Sequence, residues 1–311
     1  MIRGRALSFL LLLVAVVIWG STYVVTKAGV DEAPPMLFAL LRYCVASLLL
    51  VAIALPRGGT ARLPRPAPWA TLALMGLTGV ALYYTGFNVA LTYTTASQGA
   101  LVQSSIPAVT AVVAVVMLRE RLPPRRMLGI GLAVAGVVLI VARFGGEANA
   151  PAPLLGNLLM LGTVVVWGIY TALAKRVAGA DPIAVTAAIS VLGTVMLVPG
   201  ALLEAAIGPT SSISGATWLR ILYLGALPSG ASYLLYNRAL RDLDASQVGA
   251  VTNLSPVIGA VSGVLLLGES ITATTILGGV LVLAGVWMSS QGGASAASAA
   301  RSPRRLHGPQ A

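Results

Sequence analysis

The chain has 311 residues, of which 57% are hydrophobic and only 9% charged, and its mean hydropathy is +0.90. These values exclude a soluble domain folded round one core and point to a polytopic membrane protein. The net charge of +11 would suggest nucleic acid in a soluble protein, but here the arginines sit in loops between apolar runs, where they set orientation and meet phospholipid headgroups.

In chain order, Arg3 and Arg5 precede an apolar run that reaches about Ala28. The run is too long for a signal peptide and lacks a small-residue cleavage site, so it is read as the first span. Runs at about 36–55, 69–91, 96–118 and 126–143 follow, and Cys44 lies within the first of them with no partner for an intrachain disulfide. The stretch Gly145 to Pro153 is a polar break marked by glycine and proline. Five more runs lie at about 154–174, 182–203, 217–240, 245–267 and 273–290. From Gln291 the chain turns small, polar and basic, the composition of a disordered tail. The expected fold is all-α with ten transmembrane helices: a first five-helix repeat over 1–147, a second over 148–290, and a tail over 291–311.

The repeat is visible directly. Ala96 to Glu120, ASQGALVQSSIPAVTAVVAVVMLRE, returns from Ala245 to Glu269 as ASQVGAVTNLSPVIGAVSGVLLLGE at a constant offset of 149 residues. Five spans is an odd number, so the second half must enter the bilayer in the opposite sense. Charge gives an independent check. Of the 20 Lys and Arg, sixteen fall in termini and loops on the amino-terminal side, and three, Lys27, Arg143 and Arg220, on the other. Both termini are therefore expected in the cytoplasm, with the chain in a bacterial-type inner (plasma) membrane. Arg119, Arg121, Arg125 and Arg126 become Gly268, Ser270, Thr274 and Thr275 in the second copy, so one element faces opposite sides in the two halves. Inverted repeats of this kind serve alternating access around a site near the midplane.

Several residues recur in order. Trp19-Gly20 with Lys27 returns as Trp167-Gly168 with Lys175, and the second span carries Leu41-Arg42-Tyr43. Ala96-Ser97-Gln98 returns as Ala245-Ser246-Gln247, and Glu120 with Gly129 and Gly136 as Glu269 with Gly278 and Gly285. On these residues the chain resembles the EamA branch of the drug/metabolite transporter superfamily, over nearly its whole length. The resemblance implies two inverted five-helix repeats round a central cavity and transport of small metabolites, often outward, with amino-acid exporters among the members.

Candidate site residues follow from depth and chemistry. Trp19 and Trp167 lie near the centres of their spans, where an aromatic residue either walls a cavity or fills a helix contact. Tyr84 and Asn88 share one helical face, as do Tyr233 and Asn237 in the repeat. The tyrosines are deeper, whereas the asparagines, near helix ends, are read as satisfying backbone groups. Tyr23, Tyr83, Tyr170 and Tyr236 complete the aromatic set. Pro107 and Pro256 interrupt the signature helices and clash with the carbonyls of Gln103 and Thr252. Polar residues gather there: Gln103, Ser104 and Ser105 in one half, Thr252, Asn253 and Ser255 in the other. Freed carbonyls at that depth favour a cavity-lining role for the clusters over mere helix-to-helix adhesion.

Among charged residues, Arg42 alone among the basic ones lies well inside a span. It is either a site for a carboxylate-bearing solute or a partner for helix-end carbonyls, Asp31 or Glu32; the second reading is preferred. Lys27 and Lys175 are read as gate or anchor residues. Glu120 and Glu269 are assigned local pairing with Arg or exposed amides ahead of proton carriage. No Asp or Glu lies mid-span and the one histidine, His307, is in the tail, which favours passage down the solute's own gradient over proton exchange. No nucleophile–base pair, metal-ligand cluster or P-loop is present, so no enzyme and no cofactor or metal is expected. The expected partners are a small-molecule solute and membrane lipids, not nucleic acid, and the sequence does not decide between monomer and dimer. Small-metabolite export, of amino acids first and including aromatic or hydrophobic ones, is the reading, with multidrug efflux by proton exchange and a non-transporting scaffold as rivals.

Overall fold

The computed structural model describes the backbone of residues 2–63, 68–118, 122–141, 150–177, 179–207, 213–243 and 245–300. All regular structure among these is helical: α1 (Ile2–Val30), α2 (Pro35–Ala54), α3 (Trp69–Gly76), α4 (Tyr83–Tyr93), α5 (Ala96–Gln103), α6 (Ile106–Leu118) and α7 (Pro124–Val141) come first. They are followed by α8 (Pro153–Ala174), α9 (Pro182–Ile207), α10 (Gly215–Ala226), α11 (Ser232–Asp242), α12 (Ala245–Thr252), α13 (Leu254–Leu267) and α14 (Ala273–Ala300). Six helical runs among the described residues are long and apolar enough to cross a bilayer, and α5 with α6 makes a seventh if the pair, bent by 41°, is one span. Leu254–Leu267 and Ala273–Ser289 are shorter apolar helices. The chain is a multi-pass membrane protein. α14 continues as helix to Ala300, past the expected boundary at Gln291, and its last residues are rich in alanine, the strongest helix former.

Local chemistry sets the helix ends. Pro35 starts α2, where its missing N–H costs nothing. Thr95 caps α5 by accepting from the Gln98 N–H, Ser214 caps α10 by accepting from that of Thr217, and Asp181 accepts from Ile183 and Ala184 at the start of α9. Gly268, with φ of 65°, closes α13 in the left-handed region.

Packing between the halves is reciprocal. α1 packs on α11 and α13, and its counterpart α8 packs on α4 and α6; α2 lies against α9, and α7 against α14. The last two pairs are antiparallel. Glu204 near the end of α9 accepts the Met36 and Leu37 N–H groups at the start of α2, while Ser47 meets Thr194 at 2.8 Å further along. On α7 and α14, Gly129 faces Gly285 and Gly136 faces Gly278. A Cβ on Gly129 would lie 2.6 Å from the Gly285 carbonyl oxygen, and one on Gly136 would lie 2.5 Å from that of Gly278. Only glycine lets these backbones touch, as small residues do at membrane helix contacts.

Both third-helix runs contain a feature that hydropathy does not reveal. The turn widens to π-helix over Leu77–Leu82 between α3 and α4, and again over Leu227–Ala231 between α10 and α11. Such segments leave carbonyls without their usual partner and often mark functional sites.

Candidate functional site

A cavity of about 450 Å³ lies among these helices, a volume suited to a small organic solute. It takes lining residues from both halves of the chain. Its aromatic wall centres on Tyr83, whose ring lies 4.9 Å from Trp167, 4.8 Å from Tyr84 and stacks on Phe87 at 5.9 Å. Trp167 continues to Tyr170 at 4.8 Å, Tyr23 meets Phe87 at 5.6 Å, and Trp19 meets Tyr236 at 5.6 Å. Most of the pairs are tilted or edge-on, as ring quadrupoles favour.

The two π segments hold parts of this wall. Gly79 lets the Tyr170 ring lie directly on the backbone, where any side chain would collide. In the other half, the Pro228 carbonyl accepts the Trp19 indole N–H at 3.1 Å. A ring is thus fixed at each π segment by what that segment exposes.

The proline breaks supply polar groups. α5 ends at Gln103 and α6 begins at Ile106, just before Pro107; α12 ends at Thr252 and α13 begins at Leu254, just before Pro256. Each break falls where the proline ring would strike the carbonyl four residues back. Gln103 is 1% exposed; it donates to Thr163 at 2.8 Å and Met160 Sδ at 3.3 Å, and accepts from the Tyr83 hydroxyl at 3.4 Å. Ser104 donates to the Leu101 carbonyl at 2.5 Å. Both line the cavity, as do both prolines and Thr252, Asn253 and Ser255, whereas Ser105 turns back onto Val102.

Arg42 lines the cavity too, and here the preferred sequence reading needs correction. Asp31 pairs with Lys27 at 3.1 Å, and Glu32 pairs with Arg220 at 2.8 Å, so neither carboxylate is Arg42's partner. Its Nε donates to Ser229 Oγ at 3.0 Å, its guanidinium carbon stands 4.5 Å over the Tyr84 ring, and Nη1 has no hydrogen-bond partner among the described residues.

Lys27, Lys175 and Glu269 are not among the residues that line the cavity. Lys27 is buried and donates to the Leu91 carbonyl at 2.9 Å as well as to Asp31, whereas Lys175 is exposed at the end of α8. Glu269 is buried against the start of α5. Glu120 lies outside the described residues, as do the side chains of Tyr233 and Asn237. Asn88 donates to the Pro35 carbonyl at 3.0 Å and does not line the cavity.

The sequence reading missed Thr22, Phe87, Pro228, Leu283 and Val286, all of which line the cavity. Phe87 was within reach: it stands four residues after Tyr83 and three after Tyr84, on the same helical face. Leu283 and Val286 have no distinguishing chemistry, and only the packing of α14 turns them inward.

An all-helical, multi-pass membrane protein with a solute-sized aromatic and polar cavity between its helices falls in the class of small-molecule transporters. The chain belongs to the EamA-like transporter family, whose model matches it twice, over residues 6–142 and 154–291. It is 31% identical over 282 residues to an uncharacterized transporter of Archaeoglobus fulgidus, covering 90% of this chain and 96% of that one. It is 30% identical over 297 residues to a probable amino-acid metabolite efflux pump of Salmonella typhimurium, covering 92% and 95% respectively. A crystal structure with 23% sequence identity shares the fold, with a TM-score of 0.61 over 93% of this chain and 96% of that one.

Proposed function

We propose that the chain exports small organic metabolites, amino acids foremost, by alternating access round the central cavity. The observation that carries this reading is the cavity itself, which joins an aromatic wall to a guanidinium and side-chain amides within about 450 Å³. An amino acid offers a carboxylate and an apolar or aromatic side chain to match. The Salmonella relative's description, a probable amino-acid metabolite efflux pump, agrees with this substrate class.

The architecture in this reading is ten spans in two inverted five-helix repeats, 1–147 and 148–290, with both termini cytoplasmic in a bacterial-type inner membrane. The reciprocal contact supports it: Gly129 and Gly278 are repeat equivalents, as are Gly136 and Gly285, and each meets the other pair's member on an antiparallel helix. Such self-complementary contact is what a two-fold relation between halves produces. The arginine-rich loops support the orientation. Transport then proceeds as the α1 and α8 sides of the molecule rock against their partners, with the breaks before Pro107 and Pro256 as bending points.

Passage is down the solute's own gradient, a reading supported by the lack of Asp or Glu among the described residues that line the cavity. Flux of radiolabelled amino acids from proteoliposomes, with and without an imposed pH gradient, tests the proposal. Flux of a few amino acids that ignores the gradient supports it. Flux that follows the gradient replaces facilitation by proton exchange, and no amino-acid flux at all removes amino-acid export.

A further inference from the structure

Arg42 presents an electrostatic account that does not close within the protein. The side chain is 1% exposed and carries a guanidinium cation. Its contacts, the Ser229 hydroxyl and the face of Tyr84, orient and stabilise the cation but carry no countercharge. The acids at the neighbouring helix ends are engaged elsewhere: Asp31 by Lys27, Glu32 by Arg220, and Glu204 by the first amides of α2. Among the described residues Nη1 has no hydrogen-bond partner, and none of those lining the cavity is an acid. A charge held in a low-dielectric interior without a counterion is strongly unfavourable, and inside a membrane it marks a solute pathway.

We infer that Arg42, held in place by Ser229 and Tyr84, forms a carboxylate-binding subsite, and that the cavity takes aromatic monocarboxylates as readily as zwitterionic amino acids. This rests on reading the cavity as the solute site. The asymmetry follows from the lining. A carboxylate is met by a guanidinium whose Nη1, buried and without a partner among the described residues, has an N–H to give, and charge-assisted contacts of this kind are strong. An α-ammonium meets no acid; it is left to the ring faces of Trp19 or Trp167 and the amide oxygen of Asn253. Removing the ammonium from a ligand therefore costs little, and removing the carboxylate costs much.

Three ligands that share a phenyl ring separate these groups: phenylalanine, 3-phenylpropanoate and phenethylamine. Binding of each to the purified full-length chain is measured by displacement and by counterflow in proteoliposomes. 3-Phenylpropanoate is expected to bind within about threefold of phenylalanine, and phenethylamine at least about tenfold more weakly, the loss of one charge-assisted hydrogen bond. Arg42→Gln is expected to erase the preference for the acids by weakening the binding of phenylalanine and 3-phenylpropanoate at least about tenfold, and Arg42→Lys to keep part of it. Phenethylamine binding as well as the acids, or a preference that survives in Arg42→Gln, overturns the inference and leaves the cavity as a solute site. Binding of none of the three overturns both. Should Arg42→Gln fail to fold, the ranking of the three ligands on the unaltered chain decides.

Discussion

Glu269, from the second half of the chain, binds Ser97 of the first half twice, accepting its N–H at 2.8 Å and its hydroxyl at 2.5 Å. It also accepts the Ala96 N–H at 2.7 Å, while Thr95 accepts that of Gln98 one turn on. The carboxylate thus caps α5 from across the molecule, where a helix start has spare N–H groups and a partial positive charge. It is 4% exposed, so no water stands ready to replace it.

Replacing Glu269 with alanine leaves two backbone N–H groups without their acceptor, while the Ser97 hydroxyl keeps the Ala260 carbonyl at 3.0 Å. The expected loss is about 1–3 kcal/mol of stability, with Glu269→Gln intermediate because one acceptor oxygen remains. Thermal denaturation in detergent reads the effect, and an unaltered midpoint for the alanine variant would remove the capping role.

The contact between α7 and α14 makes a second, steric prediction. Gly129→Ala drives a methyl group to within 2.6 Å of the Gly285 carbonyl oxygen and 2.7 Å of the Ser289 nitrogen, neither of which can turn aside. Separation of the helices is expected to cost about 1–3 kcal/mol. Gly131→Ala is the control, since nothing stands within 4 Å of its added methyl. That variant is expected to hold or gain about 0.5–1 kcal/mol, because alanine favours helix over glycine. Equal melting of the two variants would contradict the close backbone approach.

In the cavity, Trp19→Phe keeps an aromatic ring but deletes the donor to the Pro228 carbonyl. The widened turn over Leu227–Ala231 then loses the group that fixes it against α1. Solute affinity is expected to fall about fivefold, the equivalent of about 1 kcal/mol for one hydrogen bond, with little change in melting. The same loss of affinity in a Trp69→Phe variant, which is exposed at the start of α3, would show the effect to be unspecific.

A pH effect is expected at the loop between α1 and α2. Hydrogen bonds from Ser214, Thr217 and Arg220 hold the Glu32 carboxyl down at about 2, from an ordinary value of 4.5. A lowered carboxyl contributes stability above its unfolded value and loses it as pH falls through the folded one. The clamp between this loop and the start of α10 is therefore in full force above pH 4.5 and fades towards pH 2. The difference in melting point between the native chain and Glu32→Gln is expected to shrink over that interval. A difference constant from pH 5 to pH 2.5 would contradict the clamp.

Much of this was written in local signals. The apolar runs, the copy of Ala96–Glu120 at 245–269 and the two prolines sufficed to predict helices that break at Gln103 and Thr252, because a ring that strikes a carbonyl does so whatever surrounds it. The polar clusters beside those prolines were legible for the same reason. The π segments were not: Leu77–Leu82 has no proline, and its widened turn is matched by a Tyr170 ring seated on Gly79 from another helix.

The repeated lysines show where sequence stops. Lys27 and Lys175 occupy like positions, yet one is buried between Asp31 and the Leu91 carbonyl and the other is exposed. Arg42 shows the same limit, since a charge has its meaning only from its neighbours. Asp31 and Glu32 are close in sequence but engaged by Lys27 and Arg220, and Arg42's contact is Ser229, 187 residues away. Sequence alone determined that this chain is helical, apolar, repeated and broken at two prolines, because hydropathy, periodicity and proline sterics act within a few residues. Which helix faces turn inward, which acid meets which amide, and that Arg42 lines the cavity with no carboxylate partner among the described residues were decided by packing between segments far apart in the chain.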